Sequence, residues 1–230
     1  MMKPFIRDRT PIWIVAYALY LYLSGLSLRR VSRALSFFIV RSHQSIWRWV
    51  HRFGGLSRAF HVGGARTAIV DERSIDVKGL EAWVWMAIEP RSRKLLAIEL
   101  SWTRNILVAY RFLKYLRDSY GVRIVIVDGA PWYVEPSIKL GLRLNLERGG
   151  PHNIVERLSR EVKRRLRDFN IYFPCRCREP FKHVETWLEA WRSYYNNVRY
   201  HMSLGKTPCG FGGLEPHTML SIVEEVMKKA

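Results

Sequence analysis

The chain has 230 residues, 48% of them hydrophobic and 25% charged, which excludes a disordered or collagen-like polymer and leaves length for one sizeable core and a smaller module. Lys and Arg number 38 against 20 Asp and Glu, a net charge of +18 with a pI near 10.3. So basic a chain repels itself and calls for an anionic partner, most often nucleic acid or an acidic membrane surface. Three cysteines, Cys175, Cys177 and Cys209, are too few and too odd for a disulfide framework and fit a reducing cytosol.

Half of the excess charge lies in residues 1–60, where ten basic residues meet one acid, Asp8. The same segment holds an uncharged stretch of 18 residues, Pro11 to Leu28, at the short limit for a bilayer span. Its aromatics sit near its start and middle instead of both ends, and Ser24, Gly25 and Ser27 interrupt its second half. The stretch therefore reads as the buried first helix of a small helical domain, not as a membrane anchor. Ser27 is placed to cap a helix over Leu28–Leu35, with Leu28, Val31 and Leu35 on one stripe. Ser42 is placed to cap another over His43–Phe53, in which Ile46, Trp49, Val50 and Phe53 recur at helical steps. Arg41, His43, Gln44, Ser45 and Arg48 are left facing out, as the recognition helix of a helix-turn-helix would hold them toward a DNA groove. A basic helical hairpin with solvated arginines is the plainer alternative. Gly54-Gly55 and Gly63-Gly64 bracket an expected linker.

From Thr67 the texture changes to apolar runs at Thr67–Val70, Ala82–Ile88 and Leu95–Leu100, read as three antiparallel strands. Helical spacing returns over 104–119, β-branched residues make a buried strand of Val122–Val127, and a second helix is expected over Asn153–Phe169. The order of elements gives an α/β layer.

Two acids close apolar runs: Asp71 after TAIV and Asp128 after RIVIV. A buried strand delivers its last side chain to the mouth of the sheet, where open α/β sheets bind ligands. For either Asp alone a turn or cap is the commoner role; the pair is more telling. Glu156, on the polar face of the helix after residue 152, has Arg160 and Lys163 four and seven residues on, which is also the pattern of an ordinary exposed ion pair. Brought together, three carboxylates need a cation, and hard oxygen ligands suit two magnesium or manganese ions. Asp71, Asp128 and Glu156 thus propose a two-metal nuclease or strand transferase. Trp132 and Tyr133, next to Asp128, suit either base stacking or a core. Cys175 and Cys177 read as free thiols more readily than as a zinc site. Trp187, Leu188, Trp191 and Tyr195, at helical steps, read as core, and His201 is left between a structural and a DNA-end duty.

The segments SLRRVSRALSFFIVRSHQSIWRWV, IVDE, RIVIVDGAPWY, HNIVERLSREVKRRLRDF and YYNNVRYHMSLGKTP together resemble the DDE transposases of prokaryotic insertion sequences, over about Ser24 to Pro208. The resemblance implies a helix-turn-helix domain at 1–60, a linker at 61–66, a ribonuclease-H-like catalytic domain with a mixed five-stranded sheet at 67–210, and a tail at 211–230. It implies two Mg2+ or Mn2+ ions, with Asp71 bridging them, Asp128 and Glu156 each on one, and Arg160 and Lys163 near DNA phosphates. It further implies cleavage and transfer of DNA strands, with double-stranded DNA partners at terminal inverted repeats and at the target. A homo-oligomer, dimer or higher, on paired ends follows, as does a nucleoid-associated place in the cytoplasm. The alternative is a DNA-binding remnant whose catalytic domain has decayed. Twenty-seven residues (129–155) separate Asp128 from Glu156, fewer than in related families; Glu161 restores the usual gap but lies outside the motif.

Overall fold

The computed structural model describes residues 10–58, 63–147, 152–172, 179–211 and 215–228, without the side chains at 152 and 167–172. Contacts divide the chain into two units, Met1–Phe60 with Glu185–Ala230, and His61–Val184.

The first unit is helical. Helix α1 (Ile12–Ser24) buries Ile14, Val15, Ala16, Ala18, Leu19, Tyr22 and Leu23, residues that point to more than one side and so need covering from more than one side. Helices α2 (Leu28–Leu35) and α3 (His43–Ser57) and the last helix, α8 (Glu215–Lys228), all pack against it. No helix among the described residues is long and apolar enough to cross a membrane. Both expected caps form: Ser27 accepts from the Arg30 amide and Ser42 from the Ser45 amide, each at 3.3 Å.

Two sequence expectations change here. Gly54-Gly55 is not a linker: α3 runs through both, because Gly54 is where helix α7 (Pro180–Asn197) comes close, and a Cβ at Gly54 would stand 2.0 Å from the Thr186 carbonyl oxygen. Residues 185–211 and the segment expected as a tail pack with the first 60 residues, whereas the sequence grouped 67–210 as one domain. The cause is the many-sided apolar surface of α1, which α8 covers with Met219, Ile222, Val223 and Val226 among its buried residues. The expected core residues Trp187, Leu188, Trp191 and Tyr195 are buried, and Arg192 is buried against Glu189 at 2.8 Å.

The second unit is built on five strands in the order β3-β2-β1-β4-β5. Strands β1 (Thr67–Val77), β2 (Leu80–Ile88) and β3 (Leu95–Ser101) form an antiparallel meander, while β4 (Ile124–Val127) joins β1 in parallel and β5 (Arg143–Leu146) joins β4 in parallel. Such a parallel pair needs a crossover, supplied by helix α4 (Ile106–Tyr120) between β3 and β4. A 3-10 turn (Pro131–Tyr133) and helix α5 (Val134–Leu140) lead to β5, and α6 (His152–Tyr172) packs on β1 and β2. The sequence stopped β1 at Val70. It continues to Val77 because β2 pairs with it along its whole length, turning back through Lys78 and Gly79, both at positive φ (58° and 80°), the two-residue hairpin geometry that tolerates such residues. The result is a ribonuclease-H-like mixed sheet with flanking helices.

Candidate active site

Because β1 outruns β4, the site begins where the parallel pairing ends. The ladder matches Thr67 with Ile124, Ala68 with Val125 and Ile69 with Ile126. Carrying that register two residues on sets Asp71 level with Asp128, which follows the last residue of β4. Asp71 therefore lies in mid-strand, not at a strand end as the sequence suggested, and it is Asp128 that stands at the mouth. Asp71 is buried and Asp128 exposed. Asp128 turns the chain, its Oδ1 accepting from the Ala130 amide at 3.1 Å, so the turn-forming role weighed for it is present alongside the pairing.

The buried Asp71 carboxylate is served from two sides. Ser159 of α6 donates its hydroxyl to Oδ2 at 2.7 Å, and Arg73 Nε lies 3.5 Å from the same oxygen. A strand alternates its side chains, so Glu72 turns to the opposite face, level with Trp85 of β2. There the Tyr133 hydroxyl donates to Glu72, and Arg104 Nη1 stands 3.8 Å from it. Burial pushes the Glu72 carboxyl up; the Tyr133 hydrogen bond opposes this, the charges of Asp71 and Asp128 add to it, and the outcome is about 7. Tyr133 is likewise held far above the ordinary phenol range by burial and by the same carboxylates. Glu72 was not singled out in the sequence, although it stands inside the IVDE segment; its burial beside Tyr133 follows from the strand's continuation, which the pattern did not show.

Glu156 lies on α6, half-buried, three residues before Ser159. Three residues turn a helix through about 300°, so Glu156 is one turn away and about 60° around from the residue that touches Asp71. Glu161, two residues past Ser159, lies about 160° around from it. The structure thus brings Asp71 level with Asp128 and puts Glu156 on the neighbouring turn. Among the described residues no group of three or more His, Cys, Asp or Glu side chains stands together closely enough to hold a metal ion, so the three-carboxylate cluster for two ions expected from the sequence is not closed. The donor chemistry of the Asp71 and Asp128 pair, hard oxygens with an excess of negative charge felt as far as Glu72, does fit magnesium or manganese.

The expected DNA-binding residues divide. His43, Gln44 and Arg48 are exposed on α3, as are Arg160 and Lys163 on α6. Arg41 does not face out freely: it is half-buried, with Nε donating to Thr10 Oγ1 at 2.7 Å and Nη1 to the Val40 carbonyl at 2.9 Å. Trp132 is half-buried with the Arg104 guanidinium over its ring, and Tyr133 is core. His201 packs edge-on against Tyr195 and bridges its backbone to Lys206 within the helical unit. Cys175 and Cys177 lie outside the described residues.

No family model matches the chain. It is 31% identical over 198 residues to the uncharacterized protein MJ0017 of Methanocaldococcus jannaschii, covering 86% of this chain and 92% of that one. Among solved structures it is similar to a chain of the simian T-cell lymphotropic virus intasome in complex with PP2A regulatory subunit B56 gamma, with a TM-score of 0.51 and 12% identity over 84% of this chain and 72% of that one. The HTLV-2 integrase catalytic core domain in complex with magnesium aligns with a TM-score of 0.48 and 11% identity, over 64% and 96% of the two chains.

Proposed function

The chain belongs to the family of the Methanocaldococcus jannaschii protein MJ0017, and on that premise we propose, from the site itself, that it is a metal-dependent enzyme that cleaves and transfers DNA strands, acting as an insertion-sequence transposase. The observation that carries the reading is the parallel register that sets Asp71 level with Asp128 at the end of β4, beside the helix bearing Ser159 and Glu156. The intasome chain among similar structures supports it at the level of fold, and the charge of +18 supports a nucleic-acid partner.

In this reading Asp71 and Asp128, with Glu156, would hold divalent magnesium or manganese, which would supply activation of a water or 3′ hydroxyl and relief of charge on the leaving oxygen. Ser159 fixes the orientation of the Asp71 carboxylate. Arg160 and Lys163, one turn and two turns on from Glu156, take up phosphates of the strand along α6. His43, Gln44 and Arg48 of α3 enter the major groove of the element ends as the second helix of a helix-turn-helix. Two or more copies assemble on paired ends.

The test is incubation of the purified chain with duplexes carrying the sequences that flank its gene, with magnesium, manganese or a chelator. Strand cleavage that needs the metal and is lost in Asp71→Asn and Asp128→Asn supports the reading. Metal-independent cleavage, or activity surviving in both variants, overturns it.

A further inference from the structure

Arg104 follows β3 and precedes the residue that caps α4. Its backbone is pinned on both sides: the Trp85 indole donates to Ser101 Oγ at 2.8 Å, Ser101 Oγ donates to the Thr103 carbonyl at 2.7 Å, and Asn105 Oδ1 accepts from the Val108 amide at 3.0 Å. The guanidinium carbon sits 3.9 Å from the ring centroid of Trp83 on β2 and 4.4 Å from that of Trp132, four residues past Asp128. Stacking on two indoles fixes the plane of a guanidinium without engaging its N–H groups. The nearest acid, Glu72, is 3.8 Å away, beyond hydrogen-bond length. Among the described residues the Arg104 side chain donates no hydrogen bond, and 37% of that side chain is exposed. A planar fork of five donors is thus held rigidly, free of hydrogen bonds, beside Glu72.

Resting on the strand-processing reading above, we infer that Arg104 is a substrate-positioning residue that binds the non-bridging oxygens of one phosphate of the nucleic-acid strand, with Trp83 and Trp132 as the clamp that orients it. Phosphate is the oxyanion that matches this fork in geometry and charge. A cation held beside Glu72, on the strand that carries Asp71, would let a negatively charged strand approach a site rich in carboxylates. A base stacked between the indoles would first have to expel the guanidinium, which makes phosphate the favoured ligand.

The experiment uses the full chain and a duplex on which wild-type cleavage has been mapped, with single phosphates near the cut replaced in turn by neutral methylphosphonate. Arg104→Ala is expected to weaken binding about tenfold and to lower the slope of log affinity against log salt by about 0.9, one duplex phosphate. Arg104→Lys is expected to restore the slope but not the cleavage rate, because it keeps charge and loses the planar fork. At one position methylphosphonate should cost the wild type as much as Arg104→Ala does, and cost Arg104→Ala nothing further. Equal sensitivity of wild type and Arg104→Ala at every phosphate overturns the inference and leaves the strand-processing reading standing. Cancellation by an abasic site instead of a methylphosphonate also overturns it and makes the indole pair a base slot. A wild type that neither binds nor cuts DNA in metal overturns both.

Discussion

Buried polar groups occur in both units, and they are handled in opposite ways. In the helical unit buried Arg192 closes on Glu189 at 2.8 Å and buried Asn197 donates through Nδ2 to the Ser193 carbonyl at 2.9 Å. In the sheet unit Asp71 and Glu72 are buried beside Asp128, and burial, with the charges of Asp71 and Asp128 adding to it, raises Glu72 to about 7. A group that only has to hold the fold is matched by its partners; a mismatch this concentrated marks a place built for something that arrives from outside.

The largest effect that can break this contrast is on chemistry. Asp71→Asn and Asp128→Asn are each expected to lower strand cleavage by at least 1000-fold, about 4 kcal/mol of transition-state stabilisation. Thermal unfolding should stay within a few degrees or rise, since like charges have been thinned. A fall in unfolding temperature that matches the lost activity would make these acids structural and erase the contrast.

Next comes the third acid. Glu156→Gln is expected to abolish cleavage, whereas Glu161→Gln, about 160° around the helix from Ser159, stays within about tenfold, roughly 1.4 kcal/mol. Single-turnover rates of the two variants separate them, and the reverse result would mean that α6 presents another face to Asp71.

In the helical unit the expected effects are on stability alone. Glu189→Ala takes away the carboxylate facing a buried guanidinium and should cost about 3 kcal/mol in denaturant unfolding. Gly54→Ala sets a methyl group against the Thr186 carbonyl and should cost about 1–3 kcal/mol, with cleavage per folded molecule unchanged. Loss of less than about 0.5 kcal/mol in both would show that the closed pairs there are incidental.

The smallest effect concerns pH. Burial pushes Glu89 up, but the Ser92 hydroxyl and amide, at 2.6 and 2.5 Å, outweigh it and hold the carboxyl below 4.5. A depressed folded-state value stabilises above the unfolded pKa and loses that contribution as pH falls through the folded one. The unfolding temperature should therefore drop below about pH 4.5 by less in Ser92→Ala than in the wild type; equal drops would assign the acid sensitivity elsewhere.

The sequence showed most where one residue type dominates a run. The cap Ser27 located α2 to the residue, the cap Ser42 located the start of α3, and the β-branched residues before Asp128 located the end of β4. It showed least where packing overrules composition. DERSIDV reads as a charged loop and is strand because β2 pairs with it. RLNL is too short and too mixed to announce β5 without β4 beside it. Gly54-Gly55 reads as a break, but the approach of α7 is visible only in three dimensions. In the site, Asp71 and Asp128 were legible as acids after apolar runs. Glu72, Ser159 and Arg104 were not, since each gains its partner from an element more than 15 residues away in sequence.

The pairing of α1 with α8 also sets a timetable for synthesis. The ribosome makes α1 about 190 residues before α8, with the whole sheet unit between them. At about 5–20 residues per second, the apolar surface of α1 waits on the order of ten seconds or more for the cover that α8 supplies, while the sheet unit is being made. A chain cut short after residue 184 would keep α2 and α3 against α1 but lack α8, and the part of the apolar surface of α1 left bare would make it the aggregating species in a cell that makes truncated copies.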